Sequence, residues 1–376
     1  MKKCIDVVSF QHPYPPDYGG VIDVYFKLKA LKAAGYAVRL HSYCYGRAAD
    51  AATLADAADE VFFYSRRTGW KSQFSRRPYI VNSRRSPLLL NRLAGSDAPI
   101  LFEGLHSCYG IDDPRLAHRI KIVRAHNIEH RYYSGLAQAS SWGWRRLFFA
   151  LEARRLQRYE PVLRHADGIA AVNEVELDYF RTAYPQAEAL LLPCFYNDRP
   201  TFDSPPGDGD FVLYQGNLSV AENVRAALWI IDRIACRLPE VPFVLAGANP
   251  PAKLMRRAAG CGNVTVSANP APEVLDRLVH EARAHLLLSF QPTGAKLKLL
   301  HALRNGAHVI ANRPMLEGTG LEGFCFVADE PEELADCLRQ AMLQPFGDGP
   351  RCLGDRYDNA ANIARLDDFI ARRISL

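Results

Sequence analysis

The chain lacks any C-x-x-C pair; its nine cysteines are scattered from Cys4 to Cys352. An odd, unpatterned set in a large chain reads as reduced thiols, which speaks against a disulfide framework and favours a cytoplasmic setting. No run approaches the roughly 20 apolar residues that span a bilayer, so any membrane contact is peripheral. The opening "MKKCIDVVSFQHPYPP" has the lysines of a signal peptide, but its apolar run is short and meets His12 and three prolines; it reads as a first strand. There is no short-period repeat and no low-complexity tract. The formal charge of +5 is too weak to imply a nucleic-acid partner, and neither a reader motif nor a concentrated basic patch supports one. The small surplus favours anionic ligands or an anionic membrane surface.

What is present suits a globular protein. Hydrophobic residues make up 48% and charged residues 23% of 376 positions, which fits two domains, each with its own core. Short apolar, β-rich runs alternate with helix-period segments, the pattern of parallel sheets built from βαβ units, so the expected fold class is α/β. Strand candidates in the first half are "CIDVVSF", "AVRLHSYCY", "EVFFYS", "ILFEGLH", "KIVRAHN", "GIAAVN" and "ALLLP". The polar stretch Cys194 to Asp210, with three prolines and two glycines, is the expected linker. A second series follows: "FVLYQGN", "PFVLAGA", "VTVSA", "HLLLSF", "HVIANR" and "FCFVADE". The expected organisation is a Rossmann-like domain over 1–193, a linker over 194–210, a second Rossmann-like domain over 211–350 and a helical tail over 351–376 that packs on either domain. In such sheets ligands bind outside the carboxyl ends of the strands, so the default site is a cleft lined by those ends.

Candidate site residues fall at strand ends. Gly19 and Gly20 open a helix after the first strand, where backbone amides and the helix dipole favour an anion; a plain tight turn is the equal alternative. His126 ends the "KIVRAHN" strand and is positioned to donate a hydrogen bond or exchange a proton near neutral pH. His106 ends another strand and is a second candidate to reach the cleft, ranked below His126. His130 reads as a helix cap, and no further ligands at metal spacing accompany these histidines, so no metal is expected. In the second half, Gly216 and Asn217 form a loop that offers amides to phosphate but no cation.

The segment "QPTGAKLKLLHALRNG" follows "HLLLSF". Thr293 and Gly294 form its loop, and Leu297, Leu300 and Leu303 give a buried stripe. Lys298, His301 and Asn305 share another face, with Lys296 in the first turn. A lysine there is unfavourable by a few tenths to about 1 kcal/mol unless an anion is present. Thr319 lies between Gly318 and Gly320 in a later loop that is placed to close over a ligand. Finally, "SWGWRRLFFALEARRLQRYE" combines aromatics with arginines over Trp142 to Arg158. Such a helix either lies on anionic lipid or packs its apolar stripe inward, with its arginines partnered by Glu152 and Glu160; the packed arrangement is the commoner one.

Taken in order, "PYPPDYGG", "HNIEH", "YEPVLRHADGIAAVN", "LLPCFYN", "GNLSVAENV", "FVLAG" and "GAKLKLLHALRNGAHVIAN" resemble the retaining glycosyltransferases of the two-domain GT-B fold, the large bacterial group with mannosyl- and glucosyltransferases. The resemblance covers nearly the whole chain. It implies transfer, with retention and without a metal, of a hexose from a UDP- or GDP-sugar to a glycan or lipid-linked acceptor in surface polysaccharide assembly. The donor is then held by the second domain near Gly216, Asn217, Thr293, Gly294, Lys296, Lys298, His301 and Thr319, and the acceptor by the first. Gly19 and Gly20 lie near the donor phosphates and His126 at the transferred sugar, in an enzyme working in the cytoplasm or at the inner face of the membrane.

The chain departs from that pattern. Relatives commonly carry an arginine just after the loop glycine and a lysine a few residues on, where this chain has Asn217 and Glu222. Relatives also often show two glutamates separated by seven intervening residues, where this chain has Thr293 and His301. A divergent active enzyme with Lys296 and Lys298 on the diphosphate and His301 at the ribose is one outcome. The alternatives are a degenerate sugar- or nucleotide-binding protein, and a sugar-nucleotide epimerase or hydrolase on the same architecture.

Overall fold

A computed structural model describes residues 3–69, 72, 75–140, 143–198, 201–290, 296–347, 351 and 353–375. The chain divides into two compact units, one holding the residues up to Tyr196 and again from Asp355, the other Asn197–Pro292 and Lys296–Gly354. The calls on Thr293, Gly294 and Trp142 lie outside the described residues.

The first unit is built on seven strands, β1 (Cys4–Ser9), β2 (Ala37–Cys44), β3 (Glu60–Ser65), β4 (Ile100–Glu103), β5 (Lys121–Ala125), β6 (Gly168–Ala171) and β7 (Glu188–Leu191), all parallel in the order β3-β2-β1-β4-β5-β6-β7. Its helices are α1 (Gly19–Ala33), α2 (Tyr79–Asn82), α3 (Pro87–Ala94), α4 (Glu129–Ala139), α5 (Trp144–Tyr159) and α6 (Glu174–Ala183). Because side chains alternate along a strand, adjacent residues feed opposite faces. Val8, Phe102, Val123 and Ile169 join the core that contains Leu156 and Phe180. Their neighbours Val7, Leu101, Ile122 and Ala170 join the core that contains Val24 and Leu28 of α1. Burial on both faces explains why these strands read as near-continuous apolar runs.

The second unit has six parallel strands, β8 (Val212–Gln215), β9 (Phe243–Gly247), β10 (Val264–Ala268), β11 (Ala284–Leu287), β12 (His308–Ala311) and β13 (Phe326–Val327), in the order β10-β9-β8-β11-β12-β13. Its helices are α7 (Ala221–Arg233), α8 (Ala252–Ala259), α9 (Pro272–Glu281), α10 (Leu297–Asn305), α11 (Arg313–Leu316) and α12 (Pro331–Leu343). In each sheet the strand order reverses once, between β1 and β4 and between β8 and β11. Helices leave in opposite directions there, which opens a crevice at the carboxyl ends of those strands.

The stretch after β7 is tied down at several of its described residues. Phe195 is buried in the first unit. Within the second unit, the Gly207 and Gly209 amides donate to the carbonyls of His280 and Glu281 at 2.8 Å each, and Phe202 stacks on His280.

The arginine-rich helix α5 departs from the packed arrangement. Phe148 and Phe149 turn inward onto Tyr79 and Tyr133, but Trp144, Leu147 and Leu151 are exposed. Glu152 and Glu160 are buried, and Glu152 keeps one arginine of the helix, the half-buried Arg155 at 3.6 Å. Glu152 accepts from the Ile80 amide at 2.9 Å, and Glu160 takes His130 at 2.9 Å and the Tyr184 hydroxyl at 3.0 Å. His130 is therefore a cross-link between α4 and the end of α5, not a cap. No helix among the described residues is long and apolar enough to cross a membrane.

The last helix, α13 (Asn359–Ile374), packs on the first unit, where Ile363, Leu366, Phe369 and Ile370 complete the α1 side of the core. Gly168 at the start of β6 makes room for it: a Cβ there would lie 2.6 Å from Phe369 Cζ. Phe369→Ala removes a fully buried ring and is expected to cost about 3–5 kcal/mol of unfolding free energy. Equilibrium denaturant unfolding measures this, and a loss under about 1 kcal/mol would mean that α13 is not part of the first unit's core.

Candidate functional site

In the first unit, the candidates gather at the carboxyl ends of β1, β4 and β5. Phe10 follows β1, and its ring centroid lies 5.6 Å from those of both His106 and His126. Gly19 and Gly20 open α1, with no side-chain cap from Tyr18. A Cβ at Gly20 would stand 2.9 Å from Phe10 Cζ, so glycine lets the helix begin against this ring. The buried Arg84 donates to the Phe10 carbonyl at 2.8 Å. Burial, with Arg66 nearby, pushes its guanidinium down to about 9.

Beneath this group lies a charged cluster that the sequence reading did not identify. Asp23 and Lys27 of α1 face Glu103 of β4 and Arg124 of β5, and all four side chains are fully buried. Arg124 grips Asp23 with two hydrogen bonds of 3.0 Å, while Lys27 Nζ donates to Asp23 at 2.9 Å and to Glu103 at 3.0 Å. Burial alone would raise Asp23, but Arg124, Lys27 and His126 outweigh it and hold its carboxyl well below the usual range. The Phe195 amide also donates to Asp23, at 2.8 Å.

His126 sits against this cluster. Its Nε2 lies 3.1 Å from Glu103 Oε2 and its Nδ1 lies 3.7 Å from Asp23 Oδ2. This corrects the expectation of an imidazole nitrogen offered outward: both nitrogens face carboxylates, so one reaches a ligand only by rotating away from Glu103. Asp23, Glu103 and His126 bring potential ligand atoms close enough for a metal ion. However, Lys27 and Arg124 already neutralise the two carboxylates, and an ion there would stand against the Lys27 ammonium.

His106 lies in a short turn after β4, with Nδ1 3.6 Å from Glu129 Oε1. Burial, then Arg84 and His126, push this imidazole below its ordinary value. Burial, then the neighbouring Glu176, raises the Glu129 carboxyl to about 8. A neutral acid and a neutral imidazole thus face each other at neutral pH.

In the second unit, the β8–α7 loop and the start of α10 meet at the strand-order reversal. Lys298 Nζ donates to Asn223 Oδ1 at 3.1 Å and lies 4.9 Å from the centroid of the Tyr214 ring. Asn223 Nδ2 in turn donates to the Asn217 carbonyl at 3.0 Å, and its side chain packs against Gly216. Burial, then Lys296, lowers the Lys298 ammonium to about 8. Asn217 does not extend its side-chain oxygen to a ligand; it accepts from the Ser219 amide at 3.0 Å and hydroxyl at 2.6 Å. Lys296 caps α10 instead of lying in its first turn, with Nζ 3.2 Å from Ser289 Oγ. Ser289 Oγ donates to Glu222 Oε1 at 2.8 Å, so the carboxylate in the first turn of α7 is an internal anion.

The face expected to carry Lys298, His301 and Asn305 together divides. His301 Nε2 turns to Asp276 of α9 at 3.1 Å, while Asn305 accepts from the Thr201 amide at 2.9 Å. The Thr319 hydroxyl donates to the Leu316 carbonyl and accepts from the Leu321 amide within its own turn. Asp276, Tyr214, Asn223 and Ser289 escaped the sequence reading, since polar side chains on helices and strand ends carry no periodic signal.

Residues 209–344 match the family model described as Glycosyl transferases group 1. An uncharacterized 44.6 kDa protein in the cps region of Klebsiella pneumoniae is 23% identical over 335 residues, 84% of each chain. Among solved structures, Anabaena HepE in complex with UDP and glucose matches with TM-score 0.66 at 14% identity, covering 100% of both chains. A TarM variant from S. aureus, in complex with Fondaparinux, α-GlcNAc-glycerol and UDP, matches with TM-score 0.66 at 9% identity over 98% of this chain and 99% of that one. These likenesses give the fold as GT-B, and with the group 1 match they support a glycosyltransferase.

Two titrations follow from the burial of these groups. A lysine lowered to about 8 is charged below that pH and neutral above it. NMR of methylated lysines should therefore show Lys298 titrating near 8, moving upward when inorganic diphosphate binds; an ordinary titration near 10.5 would contradict its burial. For Glu129, a folded value of about 8 against 4.5 means that its stabilising contribution is complete below 4.5 and is lost as pH rises through 8. Glu129→Gln keeps the neutral shape, so urea unfolding should find the variant gaining on wild type as pH rises across that window. A constant difference would place the titration elsewhere.

Proposed function

We propose that the chain is a metal-independent, retaining glycosyltransferase that moves a hexose from a UDP- or GDP-sugar to a glycan or lipid-linked acceptor in bacterial surface polysaccharide assembly, at the inner face of the membrane. The observation that carries this reading is Lys298. It is a buried ammonium at the strand-order reversal of the segment matching group 1, and its hydrogen-bond partners among the described residues are the Asn223 oxygen and the Tyr214 hydroxyl, not a carboxylate. A buried cation of this kind is stabilised by an arriving anion, and the diphosphate of a sugar nucleotide is one.

In this reading Lys298 and Lys296 hold the diphosphate, and the loop at Gly216 and Asn217 supplies backbone amides. His301, oriented by Asp276, meets the ribose, while Thr293, Gly294 and Thr319 border the donor. As the bond from the anomeric carbon to the diphosphate breaks, negative charge grows on the departing oxygen and the lysines stabilise it. The acceptor hydroxyl bonds to the same face of the anomeric carbon and its proton passes to the departing diphosphate. The resemblance assigns Gly19 and Gly20 to the phosphates and His126, once rotated away from Glu103, to the transferred sugar, with His106 the candidate for the acceptor. The cps-region relative and the UDP-bound neighbours are why a polysaccharide acceptor and UDP lead the candidates.

Thermal shift with UDP-, GDP-, ADP- and dTDP-sugars tests the donor site. One class should stabilise the wild type, and a Lys296→Ala, Lys298→Ala double variant should lose that shift while keeping its unliganded Tm. Transfer is then read by NMR of the product linkage. Nucleotide-sugar turnover without an acceptor would instead identify a hydrolase or epimerase, and binding without turnover a non-catalytic protein.

A further inference from the structure

Among the described residues, the outward face of α5 has no partner in the first unit. Trp144 is 86% exposed, Leu147 50% and Leu151 44%. Positions 144, 147, 151, 154 and 158 follow three- and four-residue steps, so Arg154 and Arg158, both exposed, continue the same stripe. Arg145 is exposed beside it. The one carboxylate of the helix, Glu152, is buried beneath, where it binds the Ile80 amide. That amide belongs to a stretch, residues 61–96, with eight lysines and arginines and no acidic residue. Within it Arg76 and Arg85 are exposed, and its helix α2 packs on α5 through Tyr79 and Phe148.

We infer that this face docks on an anionic lipid bilayer, with Trp144, Leu147 and Leu151 entering the interface and the arginines meeting the headgroup phosphates. An indole and two leucines gain only where they leave water, which excludes a purely ionic partner such as a nucleic-acid backbone. A second copy on the same face would cover the apolar residues but bring no negative charge to the exposed arginines, since the one carboxylate of the helix is buried. An anionic bilayer meets both demands, apolar depth and negative charge. The inference deepens the membrane placement in the proposed function but needs nothing from the donor site, because the face lies in the first unit and the proposed donor site in the second.

Flotation of the full chain with phosphatidylcholine vesicles, with and without phosphatidylglycerol, tests it. Wild type should float only with the anionic vesicles, and less as salt rises. A Leu147→Asp, Leu151→Asp variant and an Arg145→Gln, Arg154→Gln, Arg158→Gln variant should each lose at least about tenfold in partitioning. Both sets are exposed, so Tm and nucleotide-sugar stabilisation should match wild type, which separates this result from failure of the donor site. Absence of flotation, equal flotation of either variant, or equal binding to neutral vesicles would overturn the inference. So would a dimer on size exclusion that the leucine variant dissociates, since the face would then belong to a second copy.

Discussion

A charge removed from water must be met by an opposite charge or by hydrogen bonds, or it shifts until it is neutral. That constraint organises the first unit. Asp23 lies on α1, Arg124 on β5, and the carbonyls of Leu192 and Pro193, both Arg124 acceptors, lie just past β7. One carboxylate thus fixes a helix, a central strand and the exit of the chain from the sheet. Lys27 extends the network to Glu103 on β4, and Glu103 sets the orientation of His126. Removal of Asp23 would strand a buried guanidinium, so the cluster is costly to break even if its net gain over apolar packing is small.

The second unit shows the same constraint left partly open. Lys298 is buried beside neutral oxygens and a tyrosine ring, and its lowered ammonium records the cost. Glu222, the nearby carboxylate, is engaged by the Ser289 hydroxyl and the Phe290 amide. A buried ammonium hydrogen-bonded to neutral oxygens at a strand-order reversal is prepared for an anion, and the cluster of Asp23, Lys27, Glu103 and Arg124, with its charges paired internally, is not. The contrast supports a division of labour in which the donor diphosphate belongs to the second unit.

The fold was legible because parallel strands buried on both faces leave apolar runs that are hard to hide. All thirteen strands correspond to segments read from the sequence. The charged cluster left a signal that went unused: Asp23 and Lys27 interrupt the apolar face of α1, while Glu103 and Arg124 sit inside strands that are otherwise apolar. The pairing of His301 with Asp276 left none, since the two lie on different helices and neither breaks a pattern. The face of α5 misled for a physical reason. Its phenylalanines and its tryptophan look alike in composition, but the helix has one inward side, and Phe148 and Phe149 occupy it.

The departures from the resembling enzymes take on a common form in three dimensions. The position that resembles a phosphate-binding lysine holds Glu222, and the position that resembles a ribose-binding glutamate holds His301. Yet a cation stands near the first, at Lys298, and a carboxylate stands beside the second, at Asp276, 3.1 Å from the imidazole. Electrostatic binding depends on where charges lie in space and not on which helix supplies them. Positive charge near the loop and negative charge behind the imidazole are therefore retained although every motif residue that usually carries them has changed. Decay of a site has no reason to restore both signs in place, and that pairing of signs is the physical basis on which the proposed donor site rests.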